Sequence, residues 1–133
     1  MIFLDTSAIY ALADRADGRH AEAKDLFEAL LSEGEALLTH NYVLVESLAL
    51  VDHRLGAAAA VRLARDSAGF EVVWVDSALH TEAVRLFSRR ARHRVSFVDQ
   101  VSFLVMKARA IDTVFAFDTD FSRQGFRLLG SPP

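Results

Sequence analysis

The feature that most constrains this chain is the alternation of short apolar runs with longer amphipathic segments along its whole length. Strand-like runs cover residues 2–4, 35–39, 71–75 and 113–117, and 127–129 adds a short candidate. Segments with apolar residues at helical spacing separate them, over about 6–13, 19–31, 41–55, 57–67, 77–92 and 98–110. Such alternation is typical of βαβ units. The sequence therefore predicts an α/β fold, with a central parallel sheet of about five strands flanked by helices on both faces.

Length and composition favour one unbroken domain over residues 1–133. The chain has 133 residues, no Pro- or Gly-rich linker, and its two prolines are the last two residues. Cysteine is absent, which excludes a disulfide scaffold, a cysteine metal site and a thiol nucleophile. Asp5 interrupts the apolar N-terminus that a signal peptide would need, and no apolar run approaches the ~20 residues of a membrane span. We therefore expect a cytoplasmic protein without membrane association.

The charge is unevenly distributed. The net charge of −3 argues against a protein that binds nucleic acid by overall electrostatics. One ten-residue stretch is nevertheless basic and contains no acid; its arginines are Arg85, Arg89, Arg90, Arg92 and Arg94. Taken alone, such a run is typical of a solvated helix face, so its meaning depends on what lies beside it.

Carboxylates stand where the predicted strands end. Asp5 follows the first strand, and Asp118, with Asp120 after it, follows the fourth. Ligands of open parallel sheets bind at the carboxyl ends of the strands, so these acids are candidates for a common site. Each of them alone also fits the simpler role of a helix cap.

Two further acids occur on apolar helices. Glu46 lies in VLVESLALV, which reads as a largely buried helix without a Lys or Arg within one turn. A buried Glu46 needs a cation from elsewhere, unless it points outward or is protonated. Asp99 stands where the apolar helix 98–110 begins and, by itself, fits an N-cap.

Together, Asp5, Glu46, Asp99 and Asp118 form an all-oxygen ligand set. Hard divalent ions such as Mg²⁺ and Mn²⁺ prefer such ligands, and a bound cation relieves the repulsion among clustered carboxylates. The chemistry that this set supports is hydrolytic phosphoryl transfer by a metal-activated water. A polyanionic substrate needs positive groups, and the arginine run immediately precedes Asp99. Arg89, Arg90, Arg92 and Arg94 are therefore candidate residues for binding such a substrate.

Five segments in order resemble the PIN-domain family and, within it, the VapC-type toxin ribonucleases. They are IFLDTSAIYALAD, DGRHAEA, VLVESLAL, FVDQVSFLVM and FAFDTDFSRQGFRLL, which together cover essentially the whole chain. The resemblance implies a PIN fold with a Mg²⁺- or Mn²⁺-dependent site at the carboxyl edge of its sheet. It also implies hydrolysis of RNA phosphodiesters, homodimerisation, and inhibition by a VapB-like antitoxin whose C-terminal segment covers the site.

Position by position, the resemblance matches Asp5, Glu46, Asp99 and Asp118 to the family's acidic quartet, as catalytic residues and metal ligands. Asp120 matches an additional acidic position, and Ser7 matches a hydroxyl that orders the first aspartate or a metal-bound water. Thr6 is assigned to helix capping. Trp74 and the phenylalanines are expected in the core.

Other functions are less consistent with the sequence. A phosphatase with an aspartyl nucleophile needs a second Asp two residues after the first, where this chain has Ser7. A signalling receiver domain needs a Lys after its last strand, whereas Lys24 and Lys107 lie on predicted helices. A housekeeping PIN ribonuclease without an antitoxin, and a PIN module that binds metal without turnover, remain open alternatives.

Overall fold

The computed structural model describes residues 1–89 and 95–131. Five strands are β1 (Ile2–Leu4), β2 (Leu37–His40), β3 (Glu71–Val73), β4 (Thr113–Phe115) and β5 (Arg127–Leu128). The helices are α1 (Thr6–Ala13), α2 (His20–Ser32), α3 (Asn41–Leu55), α4 (Ala57–Asp66), α5 (Ser77–Ser88), α6 (Phe97–Ala108) and α7 (Asp120–Arg123). A 3₁₀ turn, Ser67–Gly69, follows α4. This arrangement confirms the predicted α/β fold.

The sheet has the order β3-β2-β1-β4-β5, and every neighbouring pair is parallel. β1 is the central strand and is completely buried, which explains its uninterrupted apolar sequence. Leu4 is level with Phe115 on β4, so the chain leaves β1 and β4 at adjacent points of one sheet edge. Asp5 and the segment that contains Asp118 therefore begin side by side.

A cluster of phenylalanines fixes the segment that follows β4. Phe121, on α7, is completely buried, and its ring lies 5.2 Å from that of Phe103 and 6.4 Å from that of Phe3. Phe103 belongs to α6 and Phe3 to β1. One side chain thus anchors the short helix that begins at Asp120 against both the sheet and α6. α7 was not predicted as a helix from the sequence.

Trp74 is the clearest departure from the expected core. The third strand ends at Val73 rather than at residue 75, and the Trp74 side chain is 73% exposed. β3 is an edge strand whose pairing with β2 stops where Val73 faces His40. The prediction that Trp74 is buried is therefore wrong, because Trp74 follows the last paired residue of an edge strand and its side chain faces outward.

Within the described ranges, no helix has both the length and the apolar content to cross a membrane. α5 ends at Ser88. The part of the predicted helix 77–92 beyond residue 89 lies outside the described residues.

Candidate active site

The carboxyl edge of the sheet carries an acidic cavity of about 340 Å³. Its lining residues are Asp5, Thr6, Ser7, Glu46, Ser96, Asp99, Asp118 and Asp120. All five acids singled out from the sequence therefore line one cavity, although they come from four separate regions of the chain.

Asp5 is held in place by Ser7. Asp5 is the N-cap of α1, and its Oδ2 accepts hydrogen bonds from the Ser7 backbone N–H at 3.1 Å and from Ser7 Oγ at 2.6 Å. Ser7 Oγ in turn accepts a hydrogen bond from the Phe117 backbone N–H at 3.0 Å. One hydroxyl therefore ties the first aspartate to the chain leaving β4. Ser7 is a positioning group in this geometry.

Thr6 does not cap the helix, contrary to the sequence interpretation. The cap is Asp5, and Thr6 is the first residue of α1. Its side chain is buried, and its Oγ has no hydrogen-bond partner within residues 1–89 and 95–131. A buried hydroxyl that lines the acidic cavity without a partner fits a site that holds a hydrated ion or a bound oxygen.

Asp99 is not an N-cap either. Ser96 caps α6, and its Oγ accepts the Asp99 backbone N–H at 3.1 Å. Asp99 stands in the first turn and is 8% exposed. Because Ser96 performs the capping, the Asp99 carboxylate is available to the cavity.

Three carboxylates form the tightest group in the cavity. Asp99, Asp118 and Asp120 each contribute one oxygen, and these oxygens all lie within 4.8 Å of one another. Two oxygens bound to one Mg²⁺ are at most about 4.2 Å apart, so small side-chain movements would bring the three onto one ion. The Asp120 N–H donates to Asp118 Oδ1 at 2.9 Å, and Asp120 also pairs with Arg123 at 2.9 Å.

Glu46 lines the cavity but is exposed, contrary to the expectation of a largely buried helix. α3 buries one stripe, formed by Val43, Ser47 and Val51, and Glu46 lies beside it. The sequence of α3 is apolar on nearly every side, but the rest of the protein buries only this stripe. No salt bridge to Glu46 is found among the described residues.

Burial and the charges of neighbouring carboxylates disfavour the ionised forms of Asp5 and Asp99. Desolvation raises the pKa of Asp5 to about 6, despite the hydrogen bonds from Ser7 that lower it. Desolvation, followed by the charges of Asp5 and Asp118, raises the pKa of Asp99 to about 8. A bound divalent cation would lower these raised pKa values, because it favours the ionised carboxylates. The all-oxygen donor set and the unpartnered Thr6 hydroxyl fit Mg²⁺ or Mn²⁺.

His40, which was not among the candidates from the sequence, joins the two helices that carry Glu46 and Asp99. His40 caps α3 by accepting the Val43 N–H at Nδ1, so its Nε2 carries the proton that is donated to Ser102 Oγ on α6 at 2.9 Å. Ser102 Oγ donates to Val98 O at 3.0 Å. Burial lowers the pKa of His40 to about 4, which keeps the ring neutral. No spacing pattern in the sequence marks this role.

The arginine cluster is described only in part. Arg85 pairs with Glu82 on the same helix, and Arg89 is exposed just beyond α5. Arg90, Arg92 and Arg94 lie outside the described residues. The proposed role of Arg89, Arg90, Arg92 and Arg94 in binding RNA therefore stays a prediction.

The raised pKa of Asp99 makes metal-free stability depend on pH. Folded Asp99 keeps its proton up to about pH 8, whereas the unfolded residue has lost it well below that pH. In EDTA, the unfolding free energy should therefore fall as the pH rises from 6.5 to 8, by at most about 1.4 kcal/mol per pH unit for one proton. The raised pKa of Asp5 adds to this fall and the lowered pKa of His40 opposes it, but both groups titrate mainly at or below the start of this window.

Urea unfolding of the wild type and of Asp99→Asn at several pH values measures this slope. The Asp99→Asn chain should show a flatter dependence above pH 6.5. Asp25→Asn, which makes the same change on an exposed acid of α2, should keep the wild-type slope. Equal slopes in the wild type and Asp99→Asn would contradict the proposed burial of a protonated Asp99.

Comparison with known proteins agrees with this geometry. The family model described as PIN domain matches residues 2–127. The chain is 40% identical over 131 residues to the 23S rRNA-specific endonuclease VapC20 of Mycobacterium tuberculosis, covering 95% of each protein. It is 26% identical over 119 residues to Ribonuclease VapC26 of the same organism, covering 88% of this chain and 86% of that one.

A solved structure shows the same fold. The crystal structure of M. tuberculosis VapC20, described as a sarcin–ricin loop cleaving toxin, superimposes with a TM-score of 0.85 at 38% identity. The match covers 95% of this chain and 96% of that one. The order of the elements, the acidic carboxyl edge and these similarities have one explanation, which is that the chain belongs to the PIN-domain family.

Proposed function

We propose that residues 1–133 form one nuclease domain, a Mg²⁺- or Mn²⁺-dependent endoribonuclease that acts as the toxin of a type II toxin–antitoxin pair. The observation that carries this proposal is the convergence of Asp5, Glu46, Asp99 and Asp118 in one cavity, in a chain 40% identical to an endonuclease. We assign these four residues to catalysis and metal binding. Asp120 joins the ligand set because its carboxylate belongs to the tightest group.

The chain's own residues prepare the site for hydrolysis by water. Asp99, Asp118 and Asp120 would hold the cation, with Asp5 and Glu46 facing the same cavity. When bound, the ion supplies an activated water and neutralises charge on the phosphoryl oxygens. Ser7 Oγ is engaged with Asp5 and with the Phe117 N–H, so Ser7 positions the site rather than attacking the substrate. The chain has no cysteine nucleophile.

The proposed substrate is looped RNA. VapC20 is specific for 23S rRNA and cleaves the sarcin–ricin loop. We propose the same loop as the target here, because the similarity extends over 95% of both chains. Arg89, Arg90, Arg92 and Arg94 are proposed to bind its phosphates, which offsets the repulsion that the acidic cavity exerts on RNA.

Cleavage of a stem–loop RNA with the sarcin–ricin loop sequence tests the function. The wild type should cut it with Mg²⁺ or Mn²⁺ and not with EDTA. Asp99→Asn and Asp118→Asn should lose activity by roughly 100-fold or more, because each removes a charge that the cation and the transition state require. Asp25→Asn, an exposed carboxylate on α2, should keep wild-type activity.

The same variants separate the alternatives. Induced expression of a toxin should arrest bacterial growth with the wild type and not with Asp99→Asn. Cleavage without growth arrest would identify a housekeeping ribonuclease. Metal binding without cleavage of sarcin–ricin loop RNA or total ribosomal RNA would identify a binding module and contradict the proposal.

We also propose two protein partners, both expected in the cytoplasm with the ribosomal RNA. The first is a VapB-like antitoxin that covers the acidic cavity. The second is another copy of the chain. Val45 on α3 is 64% exposed and Val84 on α5 is 42% exposed. Tyr42 and His80, one turn before them on the same helices, are joined by a 2.6 Å hydrogen bond, which brings α3 and α5 together at that level. We propose that the two exposed valines contribute to the homodimer contact.

Sedimentation velocity tests the homodimer. The wild type should sediment as a dimer, and Val45→Glu should shift it towards the monomer by placing a charge in the interface. Val61→Glu makes the same change at an exposed position of α4 and should leave the mass unchanged. A monomeric wild type would contradict this assignment.

A further inference from the structure

The Trp74 indole is a large exposed surface that neither the fold nor the proposed catalytic residues use. Trp74 is the only tryptophan of the sequence, and it is 73% exposed. Within the part of the chain that the structure describes, its ring makes no aromatic contact and no hydrogen bond. An exposed tryptophan is an efficient binding group, because it offers a large rigid area at a small cost in conformational entropy.

The backbone on both sides of Trp74 is firmly held. Val73 is paired with His40 across the sheet. The Val75 N–H donates to Asn41 Oδ1 at 2.7 Å, and Asp76 caps α5 by accepting the Leu79 N–H at 2.8 Å. The indole is therefore presented from an ordered segment, so a ligand that contacts it does not have to order the backbone.

The strand register places Trp74 at the same edge as the acidic cavity. Phe3 faces Leu38, and Leu38 faces Glu71. Two residues further along these strands come Asp5, His40 and Val73, which are therefore level with one another. β3 is two strands from β1, a lateral separation of roughly 10 Å. Trp74 follows Val73 and lies beside the site, about one residue beyond the level of Asp5.

A cluster of three aromatic side chains connects the Trp74 segment with the helix that carries Asp99. Its members are Tyr42, His80 and Phe97. Its ring centroids are 5.8 Å apart for Tyr42 and His80, 5.2 Å for His80 and Phe97, and 6.2 Å for Tyr42 and Phe97. Tyr42 follows Asn41, which binds the residue after Trp74, and Phe97 stands two residues before Asp99. Aromatic side chains thus link the residues next to Trp74 with the helix that carries Asp99.

We propose that Trp74 is a base-stacking subsite for an unpaired nucleotide of an RNA whose phosphodiester lies in the acidic cavity. This inference rests on the proposed ribonuclease function. Single-stranded and looped RNAs are recognised largely by stacking of splayed bases on aromatic side chains. Stacking is particularly useful here, because a chain with a net charge of −3 and a carboxylate-lined cavity gains little from overall attraction to a polyanion.

Because Trp74 is the only tryptophan, its fluorescence reports the contact directly. The Asp99→Asn variant is titrated with a single-stranded RNA oligonucleotide and, separately, with inorganic polyphosphate of similar charge. RNA should quench the emission in a saturable way, whereas polyphosphate, which has no bases, should leave it unchanged. Equal effects of the two polyanions, or binding of RNA without any change in emission, would overturn the stacking subsite.

Steady-state cleavage of the sarcin–ricin stem–loop tests the contribution to catalysis. Trp74→Ala should raise KM by roughly 5- to 150-fold, the range for one lost stacking contact, with little change in kcat. Trp74→Phe should recover most of the loss, because it keeps a ring. Leu31→Ala removes another exposed apolar side chain, 56% exposed on α2, and should match the wild type.

The outcomes distinguish the inference from the function on which it rests. A wild type that cleaves RNA while Trp74→Ala keeps its KM would overturn the stacking subsite and leave the ribonuclease function standing. A wild type that neither binds nor cleaves RNA would overturn both. If Trp74→Ala halves the sedimenting mass, the indole belongs to a subunit interface, and the stacking subsite is likewise overturned.

Discussion

The parallel pairing of β1 with β4 at the centre of the sheet is the constraint on which the site depends. Because both strands run in the same direction and Leu4 is level with Phe115, the chain leaves them at neighbouring points. Asp5 follows one strand, and Asp118 follows the other within three residues. An antiparallel pair would send these acids to opposite edges. The apolar sequence of β1 is thus both a folding signal and the reason why two carboxylates meet.

Small polar side chains then determine where each acid can point. Ser7 binds Asp5 and the chain after β4, Ser96 takes over the cap of α6 from Asp99, and His40 with Ser102 joins α3 to α6. None of these groups is charged at neutral pH, since burial lowers the pKa of His40 to about 4. The framework therefore positions the carboxylates without neutralising them, which is consistent with the proposed cation.

The sequence predicted the elements of the fold well and pointed to acids that the structure brings together in one cavity, because both follow from local patterns. Apolar runs and helical spacing identify the strands and helices, and the parallel topology follows from their alternation. What it mispredicted depends on long-range packing. Glu46 was expected in a buried helix, but α3 is covered along one stripe only. Trp74 was expected in the core, but it lies beyond the pairing of an edge strand. His40 was missed because its partner Ser102 is 62 residues away.

We propose above all that the clustered carboxylates hold a divalent cation. Thermal unfolding of the wild type and Asp118→Asn, in EDTA and in Mn²⁺, tests it most directly and independently of any RNA. In EDTA, Asp118→Asn should melt higher than the wild type, because repulsion within the cluster is relieved while Asn Oδ1 can still accept the Asp120 N–H. At a Mn²⁺ concentration about 100-fold above Kd, the wild type should gain on the order of 10 °C, and the variant less. If Mn²⁺ shifts neither protein and Asp118→Asn only loses stability, Asp118 is a structural hydrogen-bond acceptor, and the metal-dependent site is contradicted.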